Sequence, residues 1–344
     1  MGSFEPTIPR DSIILVTGAN GLIASHAVDQ LLAAGYRVRG TVRDLSRCSW
    51  LVPLFEKRHG AGRLELVQVS DLGAAGAWDK ALRGVSGVAA VAGAGGLDVQ
   101  DIDAQLDGEW PGVVGLLQAA KDEPSVKAVA YTSSAWAVWT PDASKKRKLE
   151  EWTFNQEAVD IARSDQPREA KGLHMYAGFK TILEEKIWEW VRAEKPSYTF
   201  NAVLPDTVIG PTLDPRNQGI QSTCGFVKML WDGVNLHLHA MLQPQWFVDT
   251  RDVGALYVAA LIIPGVNGER LFGFGDRYSW PQVRQILQEL YPQKEIPELA
   301  DQGRDQTDVP NKRAEELLRK LGRKGWTSLE EGVKACAEDI VSLE

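Results

Sequence analysis

The chain has 344 residues, a formal net charge of −8, 44% hydrophobic and 24% charged residues. A core of that size needs no staples, and the acidic balance excludes a general nucleic-acid binder, which would be basic. Cys48, Cys224 and Cys336 are scattered and form no Cys-x-x-Cys, Met1 to Asp11 is short and polar, and no apolar run is long enough for a bilayer. These features argue against a disulfide framework, a signal core and a membrane span, and they point to a reduced, cytoplasmic setting.

Ile13 to Val16 form an apolar run suited to a strand covered on both faces. Gly18 then permits a tight turn, Asn20 continues it, and Gly21 lets the backbone approach phosphate oxygens with no Cβ in the way. Small Ala24 lets the next helix, Leu22 to Ala34, lie close to the strand. Its first residues, Leu22 and Ile23, present free N–H groups and a positive dipole end to an anion. This G-x-x-G-x-x-A spacing within a strand–turn–helix–strand unit predicts a dinucleotide pyrophosphate site.

Arg37 to Val42, Arg63 to Val69, Val88 to Ala92, Ala128 to Thr132 and Thr199 to Leu204 read as five further strands, with helices at Trp110 to Lys121 and Met175 to Ala193. The alternation predicts the α/β class, a Rossmann-type doubly wound parallel sheet. Beyond Pro205 prolines recur and the elements shorten, which predicts a smaller C-terminal substrate lobe. The expected division is 1–204, mainly dinucleotide-binding, and 205–344, mainly substrate-binding, partly interleaved. Leu256 to Pro264 reads as a buried helix with Asp252 as its N-cap, and the Lys145-Lys146-Arg147-Lys148 run reads as a solvated loop. His26 reads as structural, and His237 with His239 lack a third ligand, so no metal site is expected.

Tyr176 and Lys180 stand four residues apart in the long helix, on one face. An ammonium beside a phenol stabilises the phenolate, which makes the phenol a usable proton donor to a carbonyl oxygen. The strand before them runs into Thr132-Ser133-Ser134, and a serine there points into the crevice where open α/β sheets bind ligands. At the end of the second strand, Arg43, with Arg39 before it and Arg47 beyond, suits a ribose 2′-phosphate, and Asp44 is the competing candidate for a free 2′-hydroxyl.

These stretches resemble the extended short-chain dehydrogenase/reductases, and among them the fungal NADPH-dependent aldehyde and carbonyl reductases related to plant dihydroflavonol reductases. The likeness rests on Val16-Thr17-Gly18-Ala19-Asn20-Gly21, Val38 to Asp44, Tyr131-Thr132-Ser133-Ser134, Tyr176-x-x-x-Lys180, Asn201 to Pro205, Val208 to Pro211, Phe247 to Val253 and Leu321 to Trp326. It implies hydride transfer from NADPH, Tyr176 as proton donor, Lys180 tuning Tyr176 and holding the nicotinamide ribose, and Ser134 orienting the carbonyl. It also implies Arg43 at the 2′-phosphate, Asp71 and Leu72 at the adenine, and Pro205 and Val208 at the nicotinamide carboxamide.

Two departures from that pattern stand out. The fourth strand runs into Ala90-Val91-Ala92-Gly93-Ala94-Gly95-Gly96, which suggests an open loop over the cofactor. Gly178 replaces a small side chain beside Tyr176, and it is expected to make room for the nicotinamide or a bulky substrate. Trp136, Trp139, Thr223 and Gln245 are the expected substrate contacts, with Met175, Phe226, Trp231, Met241, Trp246 and Phe247 as further apolar candidates, and Glu150-Glu151 are expected to anchor a loop. The expected partner is therefore a small hydrophobic carbonyl compound, with no nucleic acid or membrane, acted on by a monomer or homodimer. A ketoreductase of secondary metabolism falls within this class. A nucleotide-sugar epimerase and a catalytically idle NADP sensor are the alternatives.

Overall fold

The structure is a computed structural model that describes residues 4–93 and 96–344. Its centre is a seven-stranded sheet in the order β3-β2-β1-β4-β5-β6-β9. These strands are β1 (Ile13–Val16), β2 (Arg37–Val42), β3 (Leu64–Gln68), β4 (Gly87–Ala90), β5 (Ala128–Thr132), β6 (Thr199–Pro205) and β9 (Arg270–Gly273). Every pairing is parallel, as expected for strands joined by helical crossovers that cover both faces. The order reverses between β1 and β4, so the helices leaving them diverge and open a crevice at the carboxyl ends of the strands.

Three strands outside this layer, β7 (Thr207–Val208), β8 (Gln245–Val248) and β10 (Asp276–Tyr278), form a second sheet in the order β10-β8-β7. The chain beyond 205 thus builds the small sheet and also returns β9 to the large one. The Thr250–Ile262 helix, buried along almost its whole length, packs against both the Leu22–Ala33 helix and the sheet. That crossing is close because Gly254 has no side chain: a Cβ there would lie 2.8 Å from the His26 carbonyl oxygen.

Several expectations are corrected by packing. β4 ends at Ala90, two residues early, because the Val91 and Ala92 N–H groups both donate to Thr17 Oγ1 instead of continuing the ladder. The helix expected from Trp110 begins at Ile102, capped by Asp101, whose side chain accepts from Ala104 N. Pro111 lies inside that helix, whose buried Leu106, Leu116 and Leu117 keep it against the core. Asp249, not Asp252, caps the Thr250–Ile262 helix. Asp252 is buried in its first turn, paired with Arg323 at 2.7 Å and accepting from Thr327 N, and burial pushes its carboxyl up from the ordinary value.

The His174–Glu194 helix is tied to the sheet by a buried ion pair. Arg270 on β9 donates from Nε to Glu184 Oε1 at 2.7 Å and from Nη2 to Oε2 at 3.0 Å, with both side chains at or below 1% exposure. Ser133 Oγ and Trp188 Nε1 donate to the same carboxylate. Arg270 Nη1 donates to the Glu151 and Thr153 carbonyls, and its plane lies over the Phe154 ring. Glu151 thus anchors the loop through its backbone, while Glu150 pairs with Lys148. Gly178, expected to make room at the nicotinamide, instead faces the Gln156–Arg163 helix: a Cβ would meet the Ala158 carbonyl and the Ala162 methyl, both at 3.1 Å.

Removing one partner of a buried pair strands the other charge. Arg270→Met should therefore lower unfolding stability by about 3–5 kcal/mol in urea denaturation, and adding Glu184→Met should recover part of that loss. Gly254→Ala should destabilise by about 1–3 kcal/mol through overpacking, although alanine has the better helix propensity. Unchanged midpoints would refute either assignment.

Candidate active site

The crevice at the switch point encloses about 1130 Å³. Its floor is the glycine turn. Gly18 sits at φ +66, its N–H donates to Thr41 Oγ1, and Gly21 donates to the Gly18 carbonyl. Gly21 is also the N-cap of the Leu22–Ala33 helix, which has no side-chain cap and no acidic residue in its first turn. Leu22, Ile23 and Ala24 line the crevice, so the unsatisfied N–H groups and the positive end of the helix face it. Such a floor suits a diphosphate.

One end of the crevice is formed by Arg43, Asp44 and Arg47. The Asp44 alternative is weakened by its bonding. Its Oδ1 accepts from Ser46 N, Ser46 Oγ and Arg47 N, which hold the carboxyl well occupied in its own turn and below its usual pKa. Arg39 is committed to Glu65 and to the Ala81 and Arg83 carbonyls. Arg43 is exposed and lines the same end. Asp71 and Leu72 line the wall beyond, where Asp71 Oδ1 accepts from Gly73 N and Leu72 packs on Gly112. A wide groove with a diphosphate floor and guanidinium groups at one end fits a 2′-phosphorylated dinucleotide.

The opposite end reaches Tyr131 on β5, and β5 leads directly to the serines. The structure separates the two. Ser133 Oγ is engaged by Glu184, whereas Ser134 caps the turn Ala135–Ala137 and accepts from Trp136 N, leaving its own hydrogen free to donate. That turn packs on the His174–Glu194 helix, with Thr181 Oγ1 donating to the Ala137 carbonyl. The Trp136 ring meets the Tyr176 ring edge-on at 6.2 Å. Ser134 and Tyr176 therefore flank one turn. Tyr176 and Lys180 are both part-exposed, and neither Oη nor Nζ has a polar partner among the described residues. Tyr131 and Tyr257 are different: burial pushes both phenols up, so they stay neutral.

Pro205 closes β6 and Val208 closes β7, next to this end. Thr223, expected at the substrate, instead brackets Val208: its Oγ1 accepts from Val208 N at 3.1 Å and donates to the Val208 carbonyl. Gln245 is 1% exposed and its Oε1 accepts from Trp136 Nε1, so it orients the tryptophan from behind. Trp139 is buried to 1% and packs in the core. Met241 is 55% exposed. Trp136 and Met175 are the expected apolar residues on the Tyr176 side. His239 is buried against Trp280 and Phe226, with its Nε2 on the Phe226 carbonyl. The Ala94–Gly95 part of the expected open loop lies outside the described residues. Sequence reading missed Glu109, Asn217, Gln218, Gln221 and Ser222, which also line the crevice. They come from remote segments and carry no motif.

Comparison with known proteins shows the family of the chain. Residues 14–219 match the model of the NAD dependent epimerase/dehydratase family. Aldehyde reductase 2 of Sporidiobolus salmonicolor is 35% identical over 340 residues, covering 98% of this chain and 97% of that protein. Ketoreductase adrE of Penicillium rubens is 37% identical over 335 residues, covering 94% and 95%. Among solved structures, yeast methylglyoxal/isovaleraldehyde reductase Gre2 complexed with NADPH superposes with a TM-score of 0.79 at 24% identity, over 96% of this chain and 98% of that one. Vestitone reductase of alfalfa superposes with a TM-score of 0.72 at 21% identity, over 96% and 99%. The chain is a member of the NAD dependent epimerase/dehydratase family, within its extended short-chain dehydrogenase/reductase branch.

Proposed function

We propose that the protein reduces a hydrophobic aldehyde, ketone or keto ester to the alcohol, with NADPH as the reductant. The observation that carries this reading is the pair Tyr176 and Lys180, unpartnered on one helix face and packed through Trp136 onto the turn that Ser134 caps. The relatives named aldehyde reductase and ketoreductase support the reaction class. No helix among the described residues is long and apolar enough to cross a membrane. The three cysteines are free and buried, which suits the reducing cytoplasm we propose as its location.

In this reading the bound dihydronicotinamide supplies a hydride to the substrate carbon. The Gly18–Gly21 turn and the first turn of the next helix would hold the diphosphate, Arg43 would hold the 2′-phosphate, and Asp71 with Leu72 would flank the adenine. Ser134 donates its free hydrogen to the substrate oxygen and fixes the carbonyl beside Tyr176. Tyr176 Oη delivers a proton to that oxygen as negative charge builds on it, and the Lys180 ammonium stabilises the tyrosinate left behind. Lys180 would also hold the nicotinamide ribose. Pro205 and Val208 present backbone to the carboxamide, with Thr223 holding Val208 in place. Trp136, backed by Gln245, gives the substrate an apolar wall.

Tyr176→Phe should lower NADPH oxidation with an aromatic aldehyde or β-keto ester by about 100- to 10,000-fold while leaving NADPH binding intact. Wild-type protein that binds NADPH and turns over no carbonyl in such a panel would defeat the assignment. Arg43→Ala should weaken NADPH binding by about 1.5–3 kcal/mol and leave NADH binding nearly unchanged. Equal losses for the two cofactors in fluorescence titrations would remove Arg43 from the 2′-phosphate.

A further inference from the structure

We propose that Gln218 is a latch that holds a strap, residues 211–223, across the diphosphate end of the crevice, and so sets how long the cofactor stays bound. This rests on the dinucleotide reading above. The strap is a second-lobe segment anchored at both ends. At one end the Pro211 carbonyl accepts from His26 Nε2 at 2.7 Å and from Thr250 Oγ1 at 3.2 Å, and Thr212 N donates to Asp339 Oδ2. Burial pushes the His26 imidazole down from its ordinary pKa, so it is neutral there, with its proton on Nε2 facing the carbonyl. At the other end Thr223 brackets Val208.

Between the anchors, Asn217, Gln218, Gln221 and Ser222 line the crevice opposite the glycine turn. Gln218 is 6% exposed and bonded through both ends of its amide. Its Nε2 donates to the Asn20 carbonyl and to Ser25 Oγ, each at 3.1 Å, and its Oε1 accepts from Asp214 N at 3.0 Å. Among the described residues these are the hydrogen bonds that join the middle of the strap to the diphosphate floor.

Two consequences follow from the chemistry. Asn20 lies inside the turn whose N–H groups face the diphosphate. A carbonyl oxygen held by Gln218 is one that cannot swing toward phosphate oxygens and repel them. The same amide spans the crevice from lobe to floor, so dinucleotide release requires those two bonds to break or the strap to move with the turn. Gln218 is therefore a positioning residue for the phosphate loop and a barrier to dissociation. The effect acts on the diphosphate, which NADPH and NADH share, and not on the 2′-phosphate end.

The test is cofactor binding, measured by NADPH and NADH fluorescence titration and by stopped-flow dissociation, on purified full-length Gln218→Leu and Gln218→Glu. Leucine removes both donated bonds. Glutamate keeps the size and turns a carboxylate oxygen toward the Asn20 carbonyl, so it carries the test if the leucine variant does not fold. The expected result is an increase of about tenfold in Kd for both cofactors, residing in the dissociation rate, with kcat at saturating NADPH not lowered. Unchanged dissociation rates in a folded variant would overturn the latch, as would a loss confined to NADPH or one confined to kcat. Wild-type protein that binds neither dinucleotide would overturn the functional reading itself.

Discussion

A carboxylate and a guanidinium withdrawn from water set the geometry on which the site depends. Glu184 stands on the same helix as Tyr176 and Lys180, at the spacing that keeps all three near one side. Its carboxylate receives Ser133 from the end of β5 and Arg270 from β9, and Arg270 in turn holds the loop at Glu151 and Thr153. Ser134 is the very next residue after Ser133. A network that fixes Ser133 against the helix therefore also fixes Ser134 relative to that helix. Desolvating such a pair is costly unless its hydrogen-bonding capacity is filled, and here both Glu184 oxygens and three Arg270 nitrogens are engaged. What the arrangement secures is placement of groups from four chain segments.

The two adjacent serines show how the fold divides labour among identical side chains. Ser133 gives its hydroxyl to structure, and Ser134 keeps a free donor because its oxygen needs only to accept from Trp136 N. The tyrosines divide in a parallel way. Tyr131 and Tyr257 lie in dry surroundings that disfavour the charged phenolate, whereas Tyr176 is only part-buried. At the other end of the crevice the first helix leaves its amino end uncapped by any side chain, while Asp44 turns its carboxylate back on its own loop and away from competition for a phosphate.

The chain beyond 205 also contributes to the crevice. Asn217, Gln218, Gln221 and Ser222 line it beside the glycine turn, and Gln218 donates to the Asn20 carbonyl and to Ser25 Oγ, so the crevice is a product of segments far apart in the chain. The close crossing of the Thr250–Ile262 and Leu22–Ala33 helices belongs to the same junction. Gly254 meets His26 there, and His26 reaches the strap at Pro211.

Local sequence alone determined the parallel sheet, the glycine turn, the basic end of β2 and the Tyr176–Lys180 pair. Each is a short-range pattern whose physics is complete within a few residues: apolar runs for doubly covered strands, glycine where the backbone must turn, and a helical repeat that aligns i with i+4. Tertiary structure decided the rest. It separated Ser133 from Ser134, turned Gly178 toward a neighbouring helix, moved the N-cap from Asp252 to Asp249, sank Trp139 into the core, and set Thr223 and Gln245 to hold Val208 and Trp136. Gln218 and Arg270 had no legible signal, because their partners lie far away in the chain. A side chain's role depends on which donors and acceptors folding brings within about 3 Å of it, and that proximity is a property of the packed molecule.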